Sequence, residues 1–147
     1  MGEYILEKVN YLIRKHNTRC PYELASYLDV TIIDKNLKNA LGMYQYIEKN
    51  KIIFINSKLE YEEKIFILAH ELGHAVLHTK TNCYFLKNNT NFKVSRFEKE
   101  ANIFASELII SDDELKDVLS YGYTIPQIAS HFCVPEDLVK LKLDNFH

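Results

Sequence analysis

The chain has 147 residues, of which 47% are hydrophobic and 26% charged, and a formal net charge of -2. That is enough for one domain with a sizeable core and short for two, and so neutral a balance gives no electrostatic reason to expect contact with nucleic acid or an anionic membrane. Cys20, Cys83 and Cys133 are widely spaced and form no CxxC pair, which argues against a disulfide framework or a structural zinc knuckle and fits a reducing cytoplasm. Acidic residues interrupt the apolar ones of "MGEYILEKVNYL", unlike a signal peptide, and no apolar run approaches the roughly 20 residues of a membrane span. The expectation is one soluble, cytoplasmic domain over residues 1–147.

Residues 3–16 place Ile5, Leu6, Val9, Leu12 and Ile13 at spacings of three and four, which predicts an amphipathic helix. Pro21, in "TRCPYELASYLDV", suits the first turn of a short second helix. "VTIID" (30–34) predicts a strand, and "MYQYIEKNKIIFIN" predicts two more, 43–48 and 51–56, joined by a turn at Lys49-Asn50. Together these predict a small antiparallel sheet of about three strands. A helix then begins near Glu60 and runs to about His78. Its stretch IFILAHELGHAVL is apolar on nearly every side, which places it in the middle of the domain. "TKTNCYFLKNNTNFK" (79–93) reads as a loop with an apolar tip at Tyr84-Phe85-Leu86. A third long helix spans about 95–110, and Ser111-Asp112-Asp113-Glu114 makes an N-terminal cap for the next. Two or three short helices follow, broken at Gly122, Pro126 and Pro135. The predicted class is α+β and mainly helical, with the sheet packed on the buried helix. Residues 1–110 form the core and 111–147 a C-terminal helical cap.

The buried helix carries His70-Glu71-Leu72-Gly73-His74, with another histidine at His78. Residues four apart lie on one helical face, so His70 and His74 can direct both imidazoles at a single ion, the geometry that HExxH supplies for zinc. Glu71 lies beside that face, where its carboxylate can take a proton from water held by the metal. Gly73 leaves room for close approach of another backbone or of substrate. Against this, HExxH fixes few residues and recurs by chance in unrelated helices. Two buried histidines without a metal would each need hydrogen-bond partners in a very apolar setting.

A catalytic zinc needs a third protein ligand and an open position. "RFEKEANIFASEL" offers Glu98, Glu100 and Glu107. Glu98 and Asn102 share a face beside the apolar stripe of Phe97, Ala101, Phe104, Ala105 and Leu108, whereas Glu100, Glu107 and Lys99 fall to the side read as solvated. A carboxylate on that inner edge has little reason to be there unless something positive awaits it; the alternative for Glu98 is a solvent-exposed first-turn acid favoured by the helix dipole.

Taken together, an HELGHxxLH helix, preceded by "IIFINSKL" and followed by an ExEANxFAxEL helix, resembles the ImmA/IrrE family of zinc metallopeptidases. The similarity extends to "TRCPYELASYLDVTI" and to the terminal helices, so it covers nearly the whole chain. The resemblance implies a gluzincin-type Zn2+ site with His70, His74 and a glutamate as ligands and Glu71 as general base. The family's four-residue offset between ligand glutamate and supporting Asp or Asn selects Glu98, with Asn102 orienting a ligand histidine; Glu100 is the runner-up. This chain reads Ile109-Ile110-Ser111 where the family often ends the helix with Leu-Met-Pro. The metzincin route to a third histidine needs a glycine that Ala75-Val76-Leu77 lacks, so His78 is read as structural. The resemblance also implies the substrate class, a helix-turn-helix repressor of a mobile element or stress response.

"YTIPQIASHFCVPEDLVKLKL" (123–143) has a helix-turn-helix cadence, but after Thr124 it offers only Lys140 and Lys142 against Glu136, Asp137 and Asp144, the wrong balance for phosphates. A helical cap that packs on the core and contributes to a protein-binding groove fits better. His131 reads as a surface histidine. The expected activity is zinc-dependent endopeptidase, with an additional donor for the oxyanion, for which the ten tyrosines are the candidates. The rival is a non-catalytic metal-binding sensor or regulator-sequestering protein of the same fold. Glu71 discriminates between them, because binding metal requires no base there.

Overall fold

The computed structural model describes residues 2–86 and 95–146. Helix α1 (Glu3–His16) buries Ile5, Val9 and Leu12 on one face. Asn17 ends it in the left-handed conformation at φ 54°, its N–H bonded to the Ile13 carbonyl. Pro21 opens α2 (Pro21–Tyr27) at a position whose missing N–H costs nothing.

Strands β1 (Val30–Lys35), β2 (Ala40–Ile47) and β3 (Asn50–Asn56) follow. Ile47 pairs with Asn50, so the hairpin turn is Glu48-Lys49, one residue earlier than predicted. Both turn residues have positive φ, 49° and 68°, the sign that a tight two-residue hairpin requires and that Glu and Lys do not advertise in sequence. The expected small sheet is present, but it is mixed and has four strands among the described residues, ordered β1-β3-β2-β4. β1 runs parallel to β3. The loop assigned to residues 79–93 contains the fourth strand, β4 (Cys83–Leu86), antiparallel to β2, so the Tyr84-Phe85-Leu86 tip is a sheet edge. Its two-residue alternation, Cys83 and Phe85 half-buried against exposed Tyr84 and Leu86, is too short to stand out among polar neighbours. Residues 87–93 of that segment lie outside the described residues.

Helix α3 (Tyr61–Leu77) starts with a capping box between Glu60 and Glu63 and buries every residue from Phe66 to Ala75. One side rests on β2 and β3, through Tyr44, Ile53 and Ile55, which are fully buried. The opposite side packs on α4 (Arg96–Ile109), whose N-cap Ser95 accepts a bond from the Glu98 N–H at 3.3 Å. Arg19 closes the other end of α4, donating from Nη1 to the carbonyls of Glu107 and Leu108 at 3.0 and 3.1 Å. Where the family pattern was expected to differ, Ile110 leaves the helix in extended conformation with its side chain fully buried, and Ser111 caps α5 (Asp112–Ser120). Helices α6 (Ile125–Phe132) and α7 (Glu136–Asp144) complete the chain.

Because α1 and α7 also pack on α4, that helix is buried all round from Glu100 to Leu108. Glu100 and Glu107 are therefore not on a solvated side, as the sequence predicted; they are 2% and 4% exposed. Lys142 of α7 reaches Glu107 at 2.9 Å and Asp112 at 2.5 Å and is itself buried. One of the two lysines counted for the C-terminal segment is thus spent inside the protein. The chain forms a single α+β domain, and no described helix is long and apolar enough to cross a membrane.

Candidate metal centre

His70, Glu71 and His74 project from the middle of α3 and are 1%, 0% and 0% exposed. The two imidazoles lie edge to face with centroids 4.9 Å apart. Glu98, on the first turn of α4, faces both: its oxygens are 2.9 Å from His70 Nε2 and 3.0 Å from His74 Nε2. Gly73 allows this approach. A Cβ there would lie 3.1 to 3.2 Å from the Cα and carbonyl oxygen of Ala101 and from the Phe104 Cβ, tighter than cores accept without displacement. The close partner is therefore the backbone of α4.

The far side of each imidazole fixes its tautomer. His70 Nδ1 is 2.8 Å from Asn102 Oδ1, an acceptor, so Nδ1 carries the proton. His78 Nε2 is 2.8 Å from Glu100 Oε1 and His78 Nδ1 is 3.0 Å from His74 Nδ1. The carboxylate accepts from His78 Nε2, leaving His78 Nδ1 to accept from His74. Burial lowers the pKa of both His74 and His78, despite nearby carboxylates, which keeps these rings neutral. The Nε2 atoms of His70 and His74 face the Glu98 carboxylate.

Burial works against the charge on Glu98, but its contacts with His70 and His74 outweigh this and hold its carboxyl far below the ordinary range. Glu71 goes the other way: complete burial, reinforced by the charge of Glu98, pushes it well above its ordinary value. Neither Glu71 oxygen has a hydrogen-bond partner, and the two histidine Nε2 atoms have no polar partner but the Glu98 carboxylate they face. Two buried imidazoles, an ionised carboxylate and an unpaired carboxyl group converging in one site make a costly arrangement without a cation. Imidazole nitrogens with a carboxylate suit zinc. The donor set fits a metal.

Glu100 also occupies a different position from that predicted. His78, 7% exposed, joins His74 to Glu100. Glu100 in turn accepts from the Tyr4 hydroxyl of α1 at 2.5 Å and lies 3.4 Å from Arg96 Nε. Burial raises the Glu100 carboxyl, yet the bonds from Tyr4 and His78 and the charge of Arg96 bring it below its ordinary value. Phe97, predicted within the core stripe, is 40% exposed and stacks on His78 at 4.0 Å and 19°. Helical spacing could not find this set, because its members come from three helices.

Cys83 is another residue that the sequence did not single out. Its Sγ, one ring nitrogen of His74 and one oxygen of Glu98 all lie within 4.8 Å of one another. Burial, with the charges of Glu71 and Glu98, pushes its thiol up to about 12. His131 is at the surface, 3.2 Å from Glu114. Of the candidate oxyanion tyrosines, Tyr44 donates to the Thr79 carbonyl at 2.6 Å and Tyr4 to Glu100.

An apolar groove of about 740 Å³ lies between α3 and the α6–α7 pair. Phe85 belongs to both regions: its ring lies 4.6 Å from that of His70, and it lines the groove with Leu41, Phe66, Ala129 and Val134. Gly42 keeps the sheet close to the helix here, since a Cβ would strike Ile67 Cγ2 at 2.6 Å and crowd Glu71 Cγ at 3.3 Å.

The fold and this centre define a class of protein. The model of the Peptidase_M78 family, described as an IrrE N-terminal-like domain, matches residues 25–144, and the chain belongs to that peptidase family. Among particular relatives, it is 43% identical over 144 residues to "Uncharacterized immunity region protein 2" of Bacillus phage phi105, covering 96% of this chain and 91% of the relative. It is 34% identical over 143 residues to "Metallopeptidase ImmA" of Bacillus subtilis (strain 168), covering 95% and 83% respectively.

Proposed function

We propose that the protein is a cytoplasmic, zinc-dependent endopeptidase in which His70, His74 and Glu98 hold the ion and Glu71 is the general base. The observation that carries this reading is the convergence of two buried imidazole Nε2 atoms and the Glu98 carboxylate beside an unpaired, fully buried Glu71. When bound, the ion would polarise the scissile carbonyl and make water more acidic. A cation also lowers the pKa of a neighbouring carboxyl, so Glu71 would release its proton on loading and become able to accept one from the attacking water. Asn102 and His78 fix the ligand tautomers by holding the Nδ1 protons.

Residues 1–110 carry this chemistry. Residues 111–147 supply the α6–α7 wall of the apolar groove, which suits side chains flanking the cleaved bond. The substrate we infer is a helix-turn-helix repressor of a mobile element. This is supported by the family resemblance and by the relative from a phage immunity region. A non-catalytic metal-binding protein would have no use for an unpaired carboxyl group beside the ion, because burying Glu71 without a partner only costs stability.

Co-expression with candidate phage repressors tests the assignment. Wild-type protein should cleave one of them, Glu71→Gln should not cleave it while retaining zinc, and His70→Ala should lose both zinc and cleavage. Equal cleavage by wild type and Glu71→Gln would sink the proposal.

A further inference from the structure

Resting on the metal-site reading above, we propose that Cys83 is an additional ligand, whose thiolate takes the coordination position that water needs and so holds the peptidase latent. Strand β4 sets the position: Cys83 pairs with Tyr44 on β2 and Phe85 pairs with Gly42. Cys83 and Phe85 thus point inward, Phe85 against the His70 ring and Cys83 towards His74 and Glu98. The thiol's other polar contact is a weak one, Sγ to the Thr81 carbonyl at 3.5 Å. Without the cysteine, His70, the partnerless Glu71 carboxyl group and His74 form an adjoining cluster, which shares His74 with the cysteine's own.

Thiolate is a strong zinc ligand, and two imidazoles, one carboxylate and one thiolate complete a tetrahedral set. A complete protein set is the mark of a closed centre, whereas catalysis needs one position open to water. On ligation the thiol proton passes to solvent and a sulfur–metal bond forms. On opening, that bond breaks, the thiol regains a proton, and water or substrate takes the position. No electron is transferred. The chemistry makes this peptidase one that has to be opened, by substrate or by modification of a single thiol.

The test uses the full chain carrying Cys20→Ser and Cys133→Ser, so that Cys83 is its remaining thiol. Loaded with Co2+ alone, it should show visible bands of four-coordinate cobalt together with a near-ultraviolet sulfur-to-cobalt charge-transfer band. Cys83→Ala should abolish the charge-transfer band and keep the visible ones. Saturating zinc should slow N-ethylmaleimide addition to Cys83 at least about tenfold, because a metal-bound sulfur is no longer a free nucleophile. Zinc-loaded Cys83→Ala should cleave the repressor identified above faster than its parent. Visible bands without charge transfer, or alkylation indifferent to bound zinc, overturn the cysteine ligand while leaving the metal site standing. A charge-transfer band without faster cleavage by Cys83→Ala overturns latency. Absence of cobalt binding in both forms overturns the metal site and the inference with it.

Discussion

At the scale of single residues, Glu71 carries the main tension in the molecule. Burial and the Glu98 charge raise its pKa well above the ordinary 4.5. In metal-free protein, the folded chain therefore keeps a proton that the unfolded chain releases as pH passes that ordinary value. The unfolded state then binds fewer protons, so this residue's contribution to stability falls as pH rises towards the folded-state value. Glutamine has no such titration. Metal-free Glu71→Gln should gain stability relative to wild type between pH 4.5 and pH 7, measured by urea unfolding in the presence of a chelator. A difference that stays flat, or that shifts towards the wild type as pH rises, would contradict the buried, unpaired state of this carboxyl group. The sequence placed Glu71 beside the face that carries His70 and His74. Its lack of any hydrogen-bond partner is a property of the packed site.

At the scale of elements, Tyr4, His78 and Glu100 join α1, α3 and α4 through side chains alone. This connection holds the Nδ1 proton of His74 and thereby aims its Nε2 lone pair. His78→Ala is expected to weaken zinc binding about 10–100-fold, the usual cost of losing an outer-shell partner. Chelator competition measures this, and the unfolding midpoint of the metal-free variant separates loss of aim from loss of fold. An unchanged affinity would reduce His78 to packing. Helical periodicity misplaced Glu100 and Glu107 because it assumes one wet face, and α4 has none over its buried span. β4 escaped notice for a related reason: four residues carry too little period to outweigh polar surroundings, and pairing with β2 makes them a strand.

At the scale of the whole molecule, Lys142 fastens the C-terminal helices to the core. Its ammonium is buried between Glu107 and Asp112, of which Glu107 is also buried and Asp112 is half in solvent. Lys142→Met should cost about 3–5 kcal/mol, because it strands the Glu107 charge without a partner. Adding Glu107→Gln should recover part of that loss by removing the stranded charge. Denaturant titration checks both variants, and a single-variant cost below about 1 kcal/mol would show that the pair contributes little. This fastening holds α7 in place beside α6, and the two helices wall the groove that shares Phe85 with the candidate metal centre.

The sequence by itself determined which helix is buried, since ten consecutive core residues need no partner to be identified as such. It also set His70 and His74 on one face and Asn102 one turn from Glu98, because these are local, single-helix relations. It named the family through two ordered motifs. Tertiary structure alone decided the parallel placement of β1, the β4 edge and the neighbours of His78, Glu100 and Cys83. Those contacts join residues from different elements, and their formation depends on burial and pairing that no fixed spacing along the chain encodes.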